Sequence, residues 1–119
     1  MTTKDSRLAV QEAGGVTRVG FLDRNILDEA SIQQIGDEIS ALIEQVTTPK
    51  LLIDFSNVQH LSSAALGTLI KVEQQVRKKH GQLRLSSIDK NIREIFEITK
   101  LDKMFQIHES NDQALASFK

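Results

Sequence analysis

An almost unbroken apolar run, Leu51-Leu52-Ile53 leading into Asp54-Phe55, follows directly on an amphipathic helical pattern, and this pairing most constrains the fold. Alternation would mark a strand with one wet face; its absence marks a strand covered on both. The helical stripe before it consists of Ile32, Ile35, Ile39, Leu42, Ile43 and Val46, with Asp28, Glu29, Asp37, Glu38 and Glu44 off the stripe. Asp28 is placed to cap that helix, and acids in its first turn suit the helix dipole. Pro49 stops it, because the residue before a proline is pushed away from helical angles. A helix feeding a doubly covered strand is a crossover unit, which belongs to a parallel or mixed sheet.

The rest of the chain fits around that unit. Two short strands, one around Leu8-Ala9-Val10 and one over Val16-Thr17-Arg18-Val19-Gly20-Phe21-Leu22, flank Gly14-Gly15 and read as a hairpin. Asp23-Arg24-Asn25 breaks the pattern, and Ser56-Asn57-Val58-Gln59-His60-Leu61 reads as a connecting loop. Ser62-Ser63 opens a second helix with Ala65, Leu66, Leu69, Ile70, Val72 and Val76 on its apolar side. Arg77-Lys78-Lys79-His80 then Gly81 end it, cations in the last turn and glycine at the position after the cap. Gln82-Leu83-Arg84-Leu85-Ser86 alternates as an edge or half-buried strand does. Asp89 caps a third helix with Ile92, Ile95 and Phe96 inward; Met104, Phe105 and Ile107 mark a last strand, and residues 111–118 a terminal helix. The expected class is α/β, one domain over residues 1–119, a mixed sheet of four to five strands with about four helices in the order β-β-α-β-α-β-α-β-α.

Composition narrows the function classes. With 119 residues, 39% of them hydrophobic and 26% charged, the chain is globular and long enough for one core. The absence of cysteine excludes disulfides, thiolate metal sites and a thiol nucleophile. Fifteen Lys and Arg against sixteen Asp and Glu leave a net charge of −1, which argues against nucleic acid as a partner. No apolar run approaches the roughly 20 residues of a membrane span, and residues 1–7 lack the apolar stretch of a secretory signal. The expected compartment is the cytoplasm, with no membrane association.

Motifs for catalysis are missing. His60, His80 and His108 lie in separate segments without a metal-ligand spacing, so no metal is expected. Leu61-Ser62-Ser63-Ala64-Ala65 has neither glycine of a nucleophile elbow, and neither common phosphate-cradling loop occurs. No catalytic residue and no cofactor is expected; nucleotide binding in the loop between Phe55 and Ser63 would lack a lysine or glycine-rich cradle. The basic cluster at residues 77–80 reads as a solvated helix end. Ser62-Ser63 is the informative place, because sites in open α/β sheets collect beyond the strand C-termini. One serine suffices as an N-cap. A second hydroxyl there lies where backbone N–H groups and the dipole favour anions, so the fold would tolerate a phosphate carrying about −1.5 to −2 charges.

The string Leu51-Leu52-Ile53-Asp54-Phe55-Ser56-Asn57-Val58, then His60-Leu61-Ser62-Ser63-Ala64-Ala65-Leu66-Gly67, resembles the STAS domain family and, within it, the bacterial anti-sigma factor antagonists. The resemblance runs from about Leu8 to Phe118. It implies a partner-switching module. The unmodified antagonist binds an anti-sigma factor that is also a serine kinase and so frees the sigma factor. The kinase phosphorylates the antagonist, and a serine phosphatase resets it. Carried over by position, the phosphoacceptor is Ser63, with Ser62 the alternative. Asp28 and Asp54 fall near it, and His60, Leu61, Ala64, Leu66 and Gly67 fall at the partner surface. The chain departs from typical members at Ser62, where they carry Asp, and at Ala64-Ala65, where they carry Ser or Thr and then Gly. The family also contains non-phosphorylated members, so a STAS scaffold or a subunit of a signalling or lipid-transport assembly is the alternative role.

Overall fold

The computed structural model describes residues 8–118; residues 1–7, read above for a secretory signal, lie outside the described residues. The hairpin forms as the sequence predicts. Strand β1 (Leu8–Ala13) pairs antiparallel with β2 (Val16–Phe21), and Gly14 and Gly15 turn the chain at φ of 59° and 85°. Two successive left-handed residues match the right-handed twist of the strands they join, which is why glycine occupies both positions.

From there the chain climbs through β3 (Asn25–Ile26), α1 (Glu29–Glu44) and β4 (Lys50–Asp54). It then passes through β5 (His60–Leu61), α2 (Ser63–Lys78) and β6 (Gln82–Ser86). Helix α3 (Lys90–Ile98), a 3-10 turn (Leu101–Lys103), β7 (Gln106–His108) and α4 (Asn111–Ala116) complete it. The main sheet has the order β1-β2-β4-β6-β7, antiparallel at the hairpin and parallel everywhere else. The expected crossover is therefore present, and the order of main elements is the expected one. The break at residues 23–25 and the loop at 56–61 hold more order than the sequence suggests, because β3 and β5 pair as a separate two-stranded parallel ribbon.

Strands β2 and β4 divide their side chains between two cores. Leu51, Ile53, Leu83 and Leu85 join the larger cluster with Ile32, Ile35, Ile39 and Ile43 of α1, Leu66, Leu69, Val72 and Val76 of α2, and Ile92 and Phe96 of α3. Fully burying one such side chain contributes roughly 1.5–3 kcal/mol. Leu52 faces the other way, into a small cluster with Val16 and Ala114 over which Leu115 and Phe118 fold.

Three local expectations need correction. The strand read as edge or half-buried is β6, which lies between β4 and β7 and is buried from Leu83 to Ser86. Arg84 gives it a polar alternation, yet that side chain is 8% exposed. Its Nε donates to Ser117 Oγ at 2.9 Å, Nη1 to the Leu83 carbonyl at 3.1 Å and Nη2 to Gln82 Oε1 at 3.1 Å, and the guanidinium stacks 5.1 Å from the Phe118 ring centre. Buried polar groups survive when their donors are used, and here they are. Second, the left-handed residue after α2 is His80, at φ 58°, not Gly81. Gly81 donates to the Val76 carbonyl at 2.9 Å, the six-to-one bond of a Schellman stop. Third, Met104 and Phe105 precede the last strand, which starts at Gln106, and the terminal helix closes at Ala116.

The basic cluster at the end of α2 has two separate uses. Arg77 pairs with Glu73 one turn earlier. Lys79 Nζ reaches the neighbouring helix and donates to the carbonyls of Ile43, Glu44 and Val46 at 3.0, 3.2 and 2.7 Å. It thereby ties the end of α2 to the carbonyl end of α1 and the residues just after it.

Candidate functional site

The ribbon of β3 and β5 builds the site. Its register pairs Asn25 with His60 and Ile26 with Leu61. Ser62 N–H donates to the Ile26 carbonyl at 3.1 Å, and His60 Nδ1 lies 2.7 Å from Asn25 Oδ1. Asp28 lies two residues beyond Ile26 and Ser63 two beyond Leu61, so each stands at the start of the helix its strand leads into. Since β3 leads into α1 and β5 into α2, the two helices begin side by side.

The two serines have different jobs. Ser62 has extended angles, φ −82° and ψ 165°, and its Oγ accepts from the Ala65 N–H at 3.3 Å, so it is the N-cap. Ser63 is the first helical residue; it is exposed, and its hydroxyl has no partner among the described residues. Asp28 caps α1 by accepting from Ser31 N–H at 3.0 Å, and it is exposed as well. The positive ends of both helix dipoles meet here, beside one carboxylate.

Of the other residues expected at the partner surface, His60 and Ala64 are exposed, and Leu61 and Gly67 are half-buried. Gly67 lies one turn behind Ser63, and a Cβ added there would meet nothing within 4 Å. Leu66 does not belong to this surface. It is 6% exposed and packs in the core, because its position on α2 faces the sheet while Ser63 and Gly67 face away. Sequence reading ended the second strand at Leu22 and gave Leu27 no role, yet they are 58% and 55% exposed. Leu27 follows Ile26 directly, next to Ser62 by register. Two leucines flanking the polar break at residues 23–25 were the available signal.

Asp54 also needs correction as a neighbour of Ser63. On the strand it shares the parity of Leu52, so its carboxylate faces the α4 side, away from α2. There Oδ1 accepts from Ser56 N–H at 2.9 Å, and Oδ2 accepts from Asn111 Nδ2 at 3.1 Å and Arg18 Nη2 at 3.4 Å. Burial alone pushes this carboxyl up. The Ser56 N–H, the Asn111 amide, the Ser56 hydroxyl and the Arg18 charge outweigh burial and hold it below the usual carboxylate range. A depressed folded value contributes stability that is full above the unfolded value of about 3.9 and is lost as pH falls through the folded one. Asp54→Asn is accordingly expected to flatten the loss of stability as pH falls below about 4. Urea melts at several pH values check this, and parallel acid limbs for both proteins would contradict it.

The three histidines remain apart, and no group of three or more His, Asp or Glu able to hold a metal occurs among the described residues. Nor, among them, is any helix long and apolar enough to cross a membrane.

Comparison with known proteins agrees with this architecture. The family model of the STAS domain matches residues 10–114. BtrV of Bordetella bronchiseptica, named as an anti-sigma factor antagonist, is 27% identical over 96 residues, which are 81% of this chain and 82% of that protein. The crystal structure of an anti-sigma factor antagonist from Mycobacterium paratuberculosis superposes with a TM-score of 0.81 at 25% identity, covering 99% of this chain and 98% of that one. The phosphorylated form of SpoIIAA, a Bacillus cell fate determinant, superposes with a TM-score of 0.68 at 18% identity over 92% and 96% of the two chains.

Proposed function

The chain belongs to the STAS domain family, and from that premise we propose that it is an anti-sigma factor antagonist switched by phosphorylation of Ser63. It acts by binding rather than by catalysis. The unmodified surface around His60, Leu61, Ser63, Ala64 and Gly67 docks on an anti-sigma factor, which then cannot hold its sigma factor. One observation carries the reading: at the mouth of α2 one serine is used as the cap, and the next presents an unengaged hydroxyl to solvent. The name and 27% identity of BtrV support the partner class.

The partner supplies the chemistry. Ser63 Oγ forms a bond to the γ-phosphorus of ATP held by the kinase, the bond from that phosphorus to the ADP oxygen breaks, and the hydroxyl proton passes to a base of the kinase. A serine phosphatase reverses the modification by hydrolysis. The phosphate, at about −1.5 to −2 charges, sits at two helix N-termini and leaves the fold intact. Together with Asp28 it turns a nearly neutral apolar surface into an anionic one, and docking is lost. Incubation with the cognate kinase and Mg-ATP is expected to add one phosphate by intact mass, to fail with Ser63→Ala and to persist with Ser62→Ala. An unchanged mass under turnover conditions would replace the switch with a constitutive STAS scaffold.

A further inference from the structure

The buried carboxylate of Asp54 has no part in the switch as described, yet three groups of the chain donate to it. Its two oxygens point to two different parts of the chain. Oδ1 fixes the N–H of Ser56, the second residue of the segment that leaves β4 and ends at Ser62. Oδ2 is held by the side-chain amide of Asn111, the first residue of α4. Asn111 in turn accepts from Ser86 Oγ, and Ser86 is fully buried in β6 and returns a backbone bond, its carbonyl accepting from Phe55 N–H at 2.9 Å. Farther along the segment, Asn57 Nδ2 donates to the carbonyls of Phe21 and Leu22 at 3.1 Å each, and Gln59 N–H donates to Arg24 at 2.7 Å. The segment that delivers Ser63 is thus pinned at its start by Asp54 and in its middle by Asn57 and the ribbon. Only the first pin is shared with α4, on the opposite face of the sheet.

We propose that Asp54 and Asn111 are positioning residues for Ser63, forming a strut by which the docked state of α4 sets the geometry of the segment at residues 56–62. The proposal rests on the reading of Ser63 as the switch residue. It goes beyond that reading by making the C-terminal helix, which touches neither the serine nor the proposed partner surface, a regulator of how the serine is presented.

Amide hydrogen exchange of the full chain tests it. Asn111→Ala, with Asn111→Ser as the milder second variant, is expected to speed exchange at Ser56, Val58 and Ser62 by roughly tenfold or more beyond the change in global stability. Ile92→Val, which loosens the core of α3, is expected to shift those amides only in step with global stability. The exchange variant Asp54→Asn/Asn111→Asp restores the pair with donor and acceptor reversed, and it is expected to restore protection at the three amides. Exchange that merely tracks global stability in both Asn111 variants, or an exchange variant that folds without recovering protection, overturns the strut. Because the readout is the segment itself, an absence of Ser63 phosphorylation overturns the switch reading alone, while the expected exchange pattern still supports the strut.

Discussion

Ser63→Asp is expected to bind the anti-sigma factor roughly 30- to several-thousand-fold more weakly than the unmodified protein, whereas Ser63→Ala binds it equally well. The range follows from the position of the residue. Ser63 is exposed and bordered by Leu61 and Ala64, so a partner that covers it must remove it from water. A hydroxyl accepts that change with one hydrogen bond; a carboxylate left without a counter-charge costs on the order of 2–5 kcal/mol, at about 1.4 kcal/mol per tenfold. Asp28, at the start of the neighbouring helix α1, adds like-charge repulsion, screened by salt over about 8–10 Å. Phosphoserine carries more charge than aspartate, so the modified protein is expected to bind more weakly still. Isothermal calorimetry at physiological ionic strength measures all three. Equal affinities for wild type, Ser63→Ala and Ser63→Asp would leave no charge-based switch.

The largest stability effect is expected far from that surface. Gly81→Ala should destabilise the fold by about 2–4 kcal/mol, more than most single substitutions. A Cβ on Gly81 would run into the Pro49 carbonyl oxygen and lie 2.8 Å from the ring Cγ of Pro49. Neither is the far end of a flexible side chain. That same carbonyl accepts from Gln82 N–H at 2.8 Å, and Gly81 N–H closes α2 on Val76, so any shift that makes room disturbs both bonds. His80→Gly should do the opposite, adding about 1 kcal/mol, because it relieves a left-handed conformation in a residue with a side chain. Urea unfolding of both variants decides the matter. A neutral Gly81→Ala would mean that the close approach to Pro49 is not a constraint.

That pair of residues shows where sequence reasoning reaches its limit. The stop after α2 is legible from the run of cations followed by glycine. Which residue turns left-handed is not, because the glycine is required by a contact with Pro49, a residue thirty-two positions earlier. The apolar stripe of α1, the buried strand β4 and the caps Asp28 and Asp89 were readable from local pattern. Each rests on neighbours within a few residues. The place of β6 was hidden, since a polar residue at its centre imitates a wet face until Ser117 and Phe118 are seen to close over Arg84. The start of α2 was legible to within one residue. Two adjacent serines at a helix start are visible in the sequence, but only the geometry of the Ala65 N–H assigns the cap to the first. Strand parity separates Asp54 from Leu51 and Ile53 at once, yet which face α2 covers is a property of the assembled sheet.

The α1 and α2 pair is fastened at both ends, by the β3–β5 ribbon where the helices begin and by Lys79 where they finish. Elements tied in this way meet another protein as a preformed body, with little ordering entropy lost on contact. Recognition then proceeds by fit rather than by coupled folding. A partner change governed by one added group can therefore be fast and repeatable, since no segment has to melt and refold in each cycle.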